Sequence, residues 1–396
     1  MPGRWHVCLG LYKVFSEGCS YRVKIEIATE PSRLSESRPF PLKMAAAETR
    51  FLGENGFLCQ TARHCNCGEI TRPSGDLPTS MPRAPFAPWL RGELHCHTLH
   101  SDGDSSATDV VNLARARGLD FLAISDHNSI SAQRELANLR DPGLALIRGV
   151  EVTTFKGHFG VWGIGDWVDF RVQDAEDMAA ALEFANARGA VTACNHPRPF
   201  GPPWDFETVT NYQCIEVWNG PWTLLNQIAV DFWVRQLNTD RRIPAIGGSD
   251  WHRHKELVEQ PPHAPGIPTT WVYVEETPSA SSILQAIRRG HVSLSDEPNG
   301  PLLDLRAGEE FIAMGGDSIP RPDGRLPVRV HCQRGAGYEL QLLDQHAVLH
   351  KQKISDDDAT MLVELPISNS AYVRAELRAA DESMKALTNP IYYSPI

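Results

Sequence analysis

Residues 94–103 read LHCHTLHSDG. A short apolar run ends in two histidines that flank Cys96, and Asp102 follows five residues after His97, ahead of a glycine that permits a tight turn. Residues two apart in a strand share a face, so His95 and His97 point the same way. After this first run, 94–97, similar strand-length runs recur at 121–125, 144–152, 159–164, 190–194, 214–218 and 243–247. Stretches 107–117, 131–139, 175–187 and 224–237 lie between them and read as helices, the first with Val110, Val111 and Ala114 on one face. This alternation predicts an α/β fold with a largely parallel sheet. Seven strands in so short a span suit an irregular barrel better than a regular eightfold one.

The ends of these runs carry the chemistry. The second ends in Ser125-Asp126-His127 and the third at Glu151, while the fourth begins at His158. The fifth ends in Asn195-His196-Pro197, and the seventh leads into Asp250-Trp251-His252. In parallel βα architectures the C-terminal strand ends meet on one face, where the site lies. The expected metal ligands are therefore His95, His97, Asp102, His127, Glu151, His158, His196, Asp250 and His252, a donor set suited to Zn²⁺, Mn²⁺ or Fe. Asp126 reads as an orienting neighbour, and His100, His254 and His263 as structural or surface residues.

Composition narrows the class. Hydrophobic residues make up 42% of the 396 and charged residues 22%, which excludes a chain disordered throughout. No apolar run approaches the ~18 residues of a membrane span. The net charge of −11 comes without a Lys/Arg-rich block, so no long nucleic acid is expected as partner. Nine cysteines without a CxxC pair argue against both a disulfide framework and a zinc knuckle, and Cys59, Cys65 and Cys67 beside His64 are not expected to hold metal. The start lacks the pattern of a secretory leader, which makes the cytoplasm the expected compartment. Residues 1–88 read as an irregular or partly disordered extension, with strand-like alternation only at 21–29. Residues 89–297 form the barrel, including a further helix at 279–289 and a strand at 291–294. Residues 298–396 read as a C-terminal antiparallel β-rich, sandwich-like module, with strands at 328–332, 338–343, 361–365 and 371–377.

HCHTLHSDG at 95–103, SDHN at 125–128, GVEVTTFKGHFGVWG at 149–163, NHPRP at 195–199 and GGSDWH at 247–252 resemble the PHP (polymerase and histidinol phosphatase) metal-hydrolase superfamily. EVWNG at 216–220 and TNPIYY at 388–393 resemble its CehA/McbA branch, which includes carbaryl hydrolases. The resemblance implies a distorted (β/α)7 barrel with two or three divalent metal ions. It also implies their grouping: His95, His97, Glu151 and Asp250 at a first ion; Glu151, His158 and His196 at a second; Asp102, His127 and His252 at a third. With the third position empty, Asp250 or His252 is the candidate to protonate a leaving group.

The superfamily points to a small-molecule phosphoester as substrate, with Arg198 placed to hold a phosphate oxygen. The alternative is an aryl carbamate or carboxyl ester. For it Trp204, Trp218, Trp222 and Trp251, close after strand ends, would wall an apolar pocket. An alternative of another class is a non-catalytic metal-binding or partner-binding module.

Overall fold

The computed structural model describes residues 88–394, apart from 140–142, 200, 240, 259–261 and 367–369. The strand expected at 21–29, the cysteines near His64 and the irregular extension lie outside the described residues.

Seven strands follow one another in chain order and hydrogen-bond in that order: β1 (Trp89–Glu93), β2 (Phe121–Ile124), β3 (Ala145–Thr154), β4 (Gly157–Trp162), β5 (Val191–Cys194), β6 (Cys214–Asn219) and β7 (Ala245–Gly248). Helices α1 (Ala107–Ala116), α2 (Ala132–Leu136), α3 (Ala175–Asn186) and α4 (Asn226–Leu237) fill four of the connections. Ser106 caps α1 in a reciprocal capping box with Asp109, and Val110, Val111, Leu113 and Ala114 are buried. The α/β fold and the seven strands agree with expectation. Two connections differ from a (β/α)7 repeat: β3 and β4 form a hairpin, and β5 leads to β6 without a helix. The hairpin reverses β4, which is antiparallel to both neighbours, while β1, β2, β3, β5, β6 and β7 share one direction.

β8 (Thr269–Tyr273), a strand not expected from the sequence, runs antiparallel to β1. After α5 (Ala280–Arg289), β9 (Val292–Ser295) pairs with β8. The curled sheet is drawn together where β7 meets β8. There the Gly247 N–H donates to Thr270 Oγ1 at 3.0 Å, and that hydroxyl donates to Gly247 O at 2.7 Å.

The remaining strands are β10 (Leu302–Ala307), β11 (Ala313–Met314), β12 (Ser318–Ile319), β13 (Arg325–Gln333), β14 (Glu339–Leu343), β15 (Val348–Lys353), β16 (Asp358–Pro366), β17 (Tyr372–Arg378), β18 (Met384–Thr388) and β19 (Ile391–Tyr393). β10, β11, β13 and β16 form a separate four-stranded antiparallel sheet. β18 instead hydrogen-bonds to β9, so the C-terminal strands continue the barrel sheet. Tyr372, Met384, Leu387 and Tyr392 belong to the main barrel core, and the Asn389 side chain bonds the Ala245 backbone in both directions. No helix among the described residues is long and apolar enough to cross a membrane.

Candidate metal centre

Backbone pairing that continues past the strand ends shapes the site. His97 N donates to Trp251 O at 2.9 Å and Asp250 N to His95 O at 2.6 Å, joining the segments after β1 and β7. Ser125 N donates to Cys96 O, and Asn128 N to Glu151 O, joining those after β1, β2 and β3. Cys96 and Trp251 pack into an apolar cluster, which turns His95 and His97 to the opposite side. The buried Glu93 carboxylate accepts the N–H groups of His95, Ser249 and Gly266 at 2.7, 2.9 and 2.6 Å. Burial outweighs these donors and pushes its pKa up to about 7.

All nine expected ligands meet at this end of the sheet. One group comprises His95, His97, Glu151 and Asp250, a second His127, Glu151 and His158, and a third His97, Asp102, His127 and His252. Glu151 is central: His158 Nδ1 and His196 Nε2 lie 3.2 and 3.1 Å from its Oε1, and His127 Nδ1 lies 2.8 Å from its Oε2. His95 Nε2 stands 3.2 Å from Glu151 and 3.3 Å from Asp250, whose Oδ1 is 3.0 Å from His97 Nε2. His252 Nε2 and His127 Nε2 flank Asp102 Oδ1 at 3.3 and 3.5 Å. The hairpin explains why His158 enters at the start of its strand: β4 runs backward, so its beginning lies beside the ends of the others.

The donor set fits divalent cations. His95 Nε2 and Glu151 Oε2 are buried and make no well-formed hydrogen bond among the described residues. Each faces an ionisable neighbour at close range, His127 Nδ1 at 2.8 Å from Glu151 Oε2 and Glu151 at 3.2 Å from His95 Nε2, and a cation would draw on these lone pairs together. The His97 ring packs against those of both His127 and His252, with centroids 4.2 and 4.1 Å away. Burial, reinforced by these two imidazoles, lowers the His97 pKa to about 3. Burial works against a charged Glu151, but the surrounding imidazoles His95, His158 and His127 hold its pKa well below the usual value. His252 is also opposed by burial, yet Asp102 and Asp250 push it up to about 9. His196 and Asp250 adopt positive φ, 30° and 55°, strained backbone of the kind that concentrates at functional sites.

Asp126 bonds the Thr98 N–H and hydroxyl and the Ser101 hydroxyl, bracing the loop before Asp102. Arg198 is buried beside the centre, its Nη2 donating to the side chain and backbone oxygens of Asn219. The tryptophans depart from expectation. Trp218 and Trp251 are fully buried core residues, and Trp204 packs against Gly157, Phe206 and Tyr212. Trp222 lies edge-on to Trp218 and is partly buried against the core. Trp204, Trp218 and Trp251 spend their apolar surface on internal packing, whereas Trp222 keeps part of its ring accessible. Sequence reasoning missed Glu93, Glu216 and Asn195, whose Nδ2 donates to Glu151 Oε1 at 3.0 Å. The signal for Glu216 was a carboxylate among the apolar residues of its strand.

A curled α/β sheet with nine histidine and carboxylate donors at one end defines a metal-site barrel. Residues 93–196, which hold seven of those donors, match the PHP domain family. A 64-residue stretch is 42% identical to a 5'-3' exoribonuclease of Haemophilus influenzae, covering 16% of this chain and 23% of the relative. Another, of 125 residues, is 30% identical to a 3',5'-nucleoside bisphosphate phosphatase of Chromobacterium violaceum, covering 26% and 44%. The chain thus spans less than half the length of either relative. Among solved structures, a two-domain protein from Bacteroides vulgatus described as containing a predicted PHP-like metal-dependent phosphoesterase is 18% identical, at a TM-score of 0.45, covering 79% of this chain and 99% of that one. An amidohydrolase from Chromobacterium violaceum is 16% identical at a TM-score of 0.34, covering 52% and 97%.

Proposed function

We propose that this protein is a divalent-metal-dependent hydrolase of small-molecule phosphoesters. The observation that carries this reading is the set of three overlapping donor groups, two of which share the buried Glu151. His95, His97, Glu151 and Asp250 would hold one ion, Glu151 with His158 and His196 a second, and Asp102, His127 and His252 a third. Mn, Zn or Fe ions there would lower the pKa of water and offset charge developing on the phosphoryl group. Arg198, fixed by Asn219, would orient an anionic oxygen of the substrate. With the third position free of metal, His252 would give its proton to the leaving oxygen as the P–O bond breaks. The bisphosphate phosphatase relative supports phosphorus as the electrophile.

The second reading is an aryl carbamate or carboxyl ester, in line with the CehA/McbA resemblance. Its support is a set of exposed apolar side chains near the ligands: Phe155 at the tip of the β3–β4 hairpin and Leu99 in the loop after His97. Protein loaded with Mn²⁺ or Zn²⁺ should be offered aryl phosphate mono- and diesters in parallel with a naphthyl N-methylcarbamate, each with a chelated control. Chelator-sensitive phosphoester turnover supports the first reading, and carbamate turnover alone replaces it with the second. His95→Ala should lose bound metal and turnover together; full turnover after complete metal depletion would end the metal-dependent reading.

A further inference from the structure

The EVWNG stretch at 216–220 carries part of the family resemblance, but the proposed chemistry leaves its glutamate without a role. Glu216 sits buried in β6 between Ile215 and Val217. A buried carboxylate is costly unless its oxygens are paired, and those of Glu216 pair with the site. Oε1 lies 2.8 Å from His95 Nδ1, while Oε2 accepts the His196 N–H and Asn219 Nδ2, each at 3.1 Å. Asn219 in turn binds the Arg198 guanidinium and is anchored by Asn226, which accepts its N–H at 2.9 Å. Gly248 makes this packing possible. A Cβ there would stand 2.3 Å from His95 Cβ and 2.8 Å from Glu216 Oε1.

We propose that Glu216 is a positioning residue: it holds His95 as the Nδ1–H tautomer, so that the Nε2 lone pair faces Glu151 and Asp250, and through Asn219 it ties that ring to Arg198. The inference rests on the metal-dependent reading above. A neutral imidazole protonates one ring nitrogen and ligates through the other, so the partner of Nδ1 decides which atom is available. A carboxylate in that place selects the tautomer and makes the ligating nitrogen more basic. A glutamine can present its amide N–H to Nδ1 instead and loses that selection.

The test measures zinc affinity by chelator competition, and the His95 tautomer by nitrogen–proton NMR with the signal identified by its absence in His95→Asn. The wild type should bind zinc with His95 protonated on Nδ1. Glu216→Gln should weaken zinc binding roughly 10- to 100-fold and admit the other tautomer. Gly248→Ala should weaken it in the same direction, by separating ring from carboxylate without changing any charge. A wild-type protein that binds no zinc, manganese or iron sinks the metal reading and this inference together. Metal binding with His95 protonated on Nε2, or undiminished affinity in Glu216→Gln, overturns the inference alone. Where Glu216→Gln does not fold, the wild-type tautomer and the Gly248→Ala affinity decide.

Discussion

Glu93 is one residue holding three segments. Its carboxylate accepts N–H groups from the ends of β1 and β7 and from the loop before β8. Glu93→Ala leaves three buried donors unpaired at about 1–3 kcal/mol each. Denaturant unfolding of the metal-free variant should show a loss of at least ~3 kcal/mol, and a loss below ~1 kcal/mol would mean that water or a shifted backbone replaces the carboxylate. At this scale the ligands were legible because imidazoles and carboxylates gather where apolar runs stop. Glu93 and Glu216 were not, since a single glutamate in a short strand also reads as its solvent-facing side. The tryptophans misled for a related reason. Trp251 follows Asp250 directly, yet the ring turns to the core while the carboxylate faces the site, across a backbone that Asp250 bends with its positive φ.

Elements were legible where their hydrophobic period was clean, and less so where pairing partners decide. The 269–273 run carries the β-branched and aromatic residues of a strand, but only its antiparallel fit against β1 shows where it belongs. The reversal of β4 was likewise hidden, because an apolar run has no direction. β17 adds a charged feature of its own. Glu376 lies buried between Arg374 and Arg378, and Arg378 reaches Gln227 on α4 at 3.1 Å. Burial opposes ionisation of Glu376, yet the two guanidinium groups hold its pKa below the usual value. A carboxyl lowered in this way stabilises the fold fully above its unfolded pKa, near ~4.3. That contribution fades as pH falls through the lower folded value. Glu376→Gln should therefore cost roughly 3–5 kcal/mol at neutral pH and flatten the acid limb of a stability–pH profile. An unchanged acid limb would show that other carboxyls govern acid unfolding.

At the scale of the molecule, the barrel sheet does not stop at the barrel. The expected boundary near residue 297 falls just after β9, whose free side is taken by β18. A chain ending at Gly300 lacks Tyr372, Met384, Leu387 and Tyr392 from the barrel core, and loses Asn389 from the Ala245 backbone. It should show no cooperative thermal transition by circular dichroism; a sharp transition with retained turnover would establish the C-terminal strands as a separable module. The join has a consequence for behaviour in a crowded solution. Stripped of β18, β9 would present a row of unpaired N–H and C=O groups, a template on which another copy can add a strand. The C-terminal strands thus cover an edge that would otherwise be open to a further strand, and the truncated barrel should show concentration-dependent light scattering that the full chain lacks.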